Sequence, residues 1–168
     1  MVDVVSIASY ISERYRKEFG ERIDEMKLHK LLYLTQRECL IKTGEPMFEA
    51  TFHAWKYGPV LPEIRQMYKA DALNSELPME QEEQYKGVLD YVFAEYAHKR
   101  SFVLILITHG DYSWTHAREG YGKYDDSDVP MSMEDIRRDA AYYKQRRIML
   151  DVLEKTGLNK GKNRIYVV

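Results

Sequence analysis

The chain has 168 residues, 45% hydrophobic and 31% charged, enough for one folded domain with a single sizeable core. Acids and bases nearly cancel, 27 against 25, so bulk charge gives no grip on nucleic-acid phosphates. The lone Cys39 excludes an intramolecular disulfide and a thiolate-rich zinc site.

Residues 1–10 lack the basic start and continuous apolar stretch of a signal peptide. The longest apolar run, residues 102–107, is far too short to span a membrane. A cytoplasmic protein without membrane contact is expected. Fourteen tyrosines and eight methionines lean towards a binding role, because such side chains suit adaptable contact surfaces.

In chain order, Val4, Ala8, Ile11 and Tyr15 fall at helical spacing and end at Gly20, a natural C-cap. A second helix starts after Asp24 and stops at Gly44. Its residues are apolar on most sides, as in a central helix, with Lys27, Lys30 and Arg37 expected along one open edge. Residues 48–55 change to alternation, as on a half-buried strand, with His53 and Trp55 on the side opposite Phe48 and Phe52. Tyr57, Gly58 and Pro59 then form a turn, and Pro62 opens a short helix carrying Ile64, Met67 and Tyr68.

A helix over residues 79–98 follows, with Val88, Leu89, Val92, Phe93 and Tyr96 as its core stripe. Residues 102–108 are β-branched enough to leave helix and strand open; the helical surroundings favour a buried helix, with Ser101 as its cap. A turn of helix is expected over 114–118, and 119–130 reads as an exposed loop. Ser132 and Asp135 open a last long helix that ends at Gly157. The tail, residues 164–168, is strand-like and would pair with 48–55. The expected fold is mainly α: a compact single-domain bundle of about six helices over residues 1–168, with a minor two-stranded β element.

Chemistry-bearing constellations are weak. His109, Asp111 and His116 are the best metal candidates, but Gly110 interrupts any helix joining the two histidines, and a structural role is favoured. Asp125, Asp126 and Asp128 lack the glycine and glutamate of a calcium loop. Ser113 and Thr115 near His116 make no triad by sequence proximity alone, and no phosphate-binding glycine motif is present. Neither a cofactor nor catalysis is therefore expected. Lys144, Arg146 and Arg147, with Lys160, Lys162 and Arg164, read as a solvated basic face, so nucleic acid is an unfavoured partner. The aromatic group Phe52, Trp55, Tyr57 and Tyr68 can serve as a core corner on one face and a contact surface on the other.

Three motifs then agree in order and spacing with one family. The run 26–34, Met-Lys-Leu-His-Lys-Leu-Leu-Tyr-Leu, resembles the K-L-x-K-L-L-Y helix of Panacea domains. Ala54-Trp55-Lys56-Tyr57-Gly58-Pro59-Val60 is similar to the A-W-x-x-G-P-V signature, and Thr108-His109 with Trp114 to the T-H-x-x-x-x-W element. The resemblance covers roughly residues 4–148. It implies an antitoxin of a bacterial or prophage toxin–antitoxin pair, neutralising a cognate protein toxin by direct contact. A protease adaptor that delivers the toxin for degradation, or a phage-encoded nucleic-acid-associated regulator, are the alternatives. Carried over, the motifs point to Lys27, Lys30, Tyr33, His53, Trp55, Tyr57, Gly58 and Tyr68 as the toxin-contact neighbourhood, and to Pro59, Thr108, His109 and Trp114 as braces of the fold.

Overall fold

The computed structural model describes residues 1–158. Among these, seven α-helices surround a small antiparallel sheet. The order is α1 (Val4–Phe19), α2 (Glu25–Thr43), β1 (His53–Trp55), β2 (Gly58–Val60), α3 (Pro62–Lys69) and α4 (Met79–Val92). A π-helical turn (Phe93–Ala97) follows, then α5 (Ser101–His109), α6 (Tyr112–Ala117), β3 (Val129–Pro130) and α7 (Met133–Thr156). No helix among the described residues is long and apolar enough to cross a membrane.

Local chemistry sets the helix ends. Asp3 and Asp24 accept the Ser6 and Lys27 backbone N–H groups, and Ser132 accepts those of Glu134 and Asp135, so each satisfies donors that the helix itself cannot. Ser101 does not cap α5; its hydroxyl donates to Asp24, and Arg100 occupies the cap position without a side-chain bond.

Helix α2 is the axis of the molecule: residues 27 to 41 are all buried, with α1, α4, α5 and α7 packed around it. The expected open edge does not exist, because Lys27, Lys30 and Arg37 each find a distant partner inside the fold. Lys27 Nζ donates to Tyr15 Oη (3.0 Å) and to the Ala97 carbonyl (3.2 Å) in the π-helical turn. Gln36 binds both the Phe48 carbonyl and the Met47 N–H. Glu38, also buried, takes a bidentate ion pair from Arg147 of α7 at 2.8–2.9 Å. Cys39 is a buried free thiol.

The β element differs from expectation in two ways. Residues 48–51 run along α2, held by Gln36 and by a single bridge from Phe48 to Val2, and only His53–Trp55 is strand. The sheet has three strands in the order β2-β1-β3, with Trp55 opposite Gly58 and Ala54 opposite Val129. Residues 129–130, expected in a loop, thus supply β3. The rest of that loop is tied down: Arg118 donates to the Gly122 and Asp125 carbonyls, and Ser127 to the Ala54 carbonyl. The expected pairing of the tail, 164–168, lies outside the described residues.

Candidate functional site

Hairpin β1–β2 organises the site. Its two turn residues, Lys56 and Tyr57, keep negative φ, so the chain reversal falls on Gly58 at φ 101. Pro59 sits on β2, the edge strand, where its missing N–H costs no sheet bond. The strand alternation holds: Phe52 and Ala54 are buried, while His53 and Trp55 point to the other side and both bind Asp128. His53 Nδ1 lies 2.8 Å and Trp55 Nε1 2.7 Å from Asp128 Oδ1, and these bonds lower the carboxyl's pKa.

The remaining motif residues hold this hairpin from below. Lys30 Nζ donates to the Pro59 carbonyl at 3.1 Å. Trp114 Nε1 donates to the Trp55 carbonyl at 2.9 Å, and the His109 ring stacks on Trp114 with centroids 3.7 Å apart. Thr108 is buried under Gly58, with its hydroxyl bonded to Ile105 O. Burial lowers the His109 pKa to about 4, helped by the Lys30 and Arg118 cations, and lowers that of Lys30 to about 7.

The sequence-derived contact set therefore divides. His53, Trp55 and Tyr57 come together around the hairpin with Gly58, and Tyr57 is 55% exposed at its tip. Lys27, Lys30 and Tyr33 are buried. Tyr68 lies elsewhere, its hydroxyl donating to Ile23 O and its ring under Arg22. The metal candidates also disperse: His116 pairs with Asp135 at 2.7 Å, and Asp111 turns inward.

Asp111 is the anchor that sequence reading missed. It accepts two bonds from Arg37 Nη1 (2.7 and 2.9 Å), one from Tyr33 Oη (2.6 Å) and one from Tyr143 Oη (3.1 Å). Arg37 Nη2 also reaches Tyr96 Oη at 3.2 Å, and its guanidinium lies over the Tyr143 ring. This buried charge network joins α2 to α6 and α7, and every member has a partner.

Two hollows flank the hairpin tip and share Met26, Lys56 and Tyr57. One, of about 530 Å³, has His29, Lys30, Trp55 and Arg65 in its wall. The other, of about 590 Å³, is bordered by Phe102, Leu106, Trp114, Tyr121 and Tyr124. Phe102, Leu106 and Tyr124 are 67%, 56% and 73% exposed, a concentration of large apolar side chains on one side of a soluble chain.

The family described as antitoxin SocA-like, Panacea domain, matches residues 28–115, from α2 to α6. The chain belongs to this family. Antitoxin SocA of Caulobacter vibrioides (strain NA1000 / CB15N) is 37% identical over 49 residues, 29% of this chain and 26% of that protein. The match thus spans about a quarter of that relative's length. No solved structure matches. In Panacea-domain terms, the matched segment holds α2, the hairpin and the Thr108–Trp114 brace, which together frame both hollows.

Proposed function

We propose that this chain is an antitoxin that neutralises a cognate protein toxin by direct contact, through the face around the Tyr57 tip. One observation carries the choice of face. Tyr57, Phe102, Leu106 and Tyr124 are exposed side by side around one hollow, within and beside the segment that defines the family. Aromatic and aliphatic anchors over a pocket are the usual energetic centre of a protein interface. His53 and Trp55 would extend the contact along the hairpin, while Lys27, Lys30, Tyr33 and Gly58 hold the hairpin and α2 in place. An interface of about 1,600 Å² would cover a toxin's active site without any chemistry by this chain.

The basic residues on α7 speak against a nucleic-acid reading, because Arg147 is committed to Glu38. Co-expression with the product of the adjacent reading frame tests the proposal, by growth assay and affinity capture. Restored growth with a stable complex supports it. A toxic neighbour that is neither bound nor silenced would refute it. Toxin abundance in the rescued cells separates direct neutralisation, with the toxin persisting, from delivery to a protease, with the toxin disappearing.

A further inference from the structure

The hollow between α2, the hairpin and α3 has an unusual floor. His29 is 1% exposed, and its Nδ1 accepts the Leu61 backbone N–H at 3.2 Å. The ring is neutral, since burial holds its pKa down at about 3. The single ring proton must then sit on Nε2, and that buried donor has no hydrogen-bond partner. Glu25 Oε1, at 3.9 Å, is beyond bonding distance and is already held by Arg65 at 2.5 Å.

Lys30, beside it, is also 1% exposed and forms no ion pair among the described residues; its ammonium has three donors and uses one on Pro59. Buried donors left without acceptors are costly, and native structures rarely keep them without a reason. Here two open into the same hollow of about 530 Å³, a size typical of small-ligand sites.

The walls are apolar or flat. Met26, Val60 and the Trp55 ring line them, and the Arg65 guanidinium lies 5.0 Å from the centroid of that ring. The acids at the rim are neutralised in place: Asp128 accepts from His53 and Trp55, and Glu25 pairs with Arg65.

We propose that this hollow is a carboxylate-binding site, in which His29 Nε2 and Lys30 Nζ receive the carboxylate and the Trp55 wall its planar or apolar body. The carboxylate comes either from a free organic acid or from an acidic side chain on a polypeptide, and the recognition chemistry is the same. The site is separate from the exposed face around Leu106 and Tyr124, so it does not rest on the toxin-binding reading.

The test titrates the full chain with sodium benzoate at about pH 6, following the Trp55 indole N–H resonance, with a terminally blocked Phe-Glu-Phe peptide as second probe. Saturable shifts with either probe are expected, weakened about tenfold or more by Lys30→Met and by His29→Phe. Saturation by benzoate alone identifies a free acid as the source, and tighter binding of the peptide identifies an acidic side chain. Lys30→Met removes a buried charge and should fold, so it decides the outcome even if His29→Phe does not. Three results would overturn the proposal: no shift with either probe, binding by Lys30→Met within about twofold of the parent chain, or benzamide binding as tightly as benzoate.

Discussion

Gly58 and Lys30 are packed so closely that a Cβ on Gly58 would stand 2.6 Å from Lys30 Cε and 2.8 Å from Thr108 Oγ1. The glycine is required twice over, by this contact and by its φ of 101. Gly58→Ala should therefore destabilise the fold by about 2–4 kcal/mol, combining backbone strain with overpacking. Denaturant unfolding checks this, and a loss below about 0.5 kcal/mol would mean that the hairpin rearranges freely.

The Arg37–Asp111 pair gives a sharper expectation. Removing one partner strands a charge in the core, so Asp111→Ala should cost about 3–5 kcal/mol. The double variant Arg37→Met, Asp111→Leu should recover a good part of that loss. Equal destabilisation by the single and double variants, measured by chemical unfolding, would show that the tyrosines around the pair depend on it for their positions.

Two buried bases give stability opposite pH dependences on either side of neutrality. His29 has a folded pKa near 3 against 6.5 when exposed, so protons bind the unfolded chain more readily. Stability is complete above 6.5 on this account and declines as pH falls towards 3, by up to about 4 kcal/mol. Lys30, lowered from 10.5 to about 7, also binds its proton better when unfolded. Its contribution makes stability rise with pH between 7 and 10.5, again by up to about 4 kcal/mol. Unfolding free energies across pH should lose the alkaline rise in Lys30→Met, while the acid decline remains.

On the exposed face the expectation is the reverse of a core effect. Tyr57→Ala and Leu106→Ala should change stability by less than about 0.5 kcal/mol, yet each should weaken toxin capture by about tenfold or more. Unchanged capture by a Tyr57→Ala, Leu106→Ala double variant would place the interface elsewhere.

Where the deciding interactions are local, the sequence was a sufficient guide. Asp24 and Gly44 bound α2 because a cap acts within one turn. The alternation at Phe52, Ala54 and Trp55 assigned the two sides of β1, because a pleat has no other way to arrange them. Lys27, Lys30 and Arg37 misled, since a lysine or arginine at helical spacing looks the same whether it faces water or a carbonyl far along the chain. Their acceptors, Ala97, Pro59 and Asp111, are 70, 29 and 74 residues away. Strand β3 is two residues long and carries no periodicity, so Val129 and Pro130 could not announce it. The three family motifs did locate the hairpin and its brace, while the exposed anchors Phe102, Leu106 and Tyr124 fall outside those motifs.

The π-helical turn at 93–97 accommodates one residue more than an ordinary helix would over the same path. Deleting any single residue there would restore regular helix and swing everything after it by about 100°. The Ala97 carbonyl would leave Lys27, while Val88, Leu89 and Val92 would stay seated on α2. This short stretch is thus a point of low tolerance to indels on the path from α4 to α5, where a deletion in the exposed segment 74–76 would be absorbed as slack. Libraries that shorten or lengthen the chain should show a sharp gap in viable variants at 93–97.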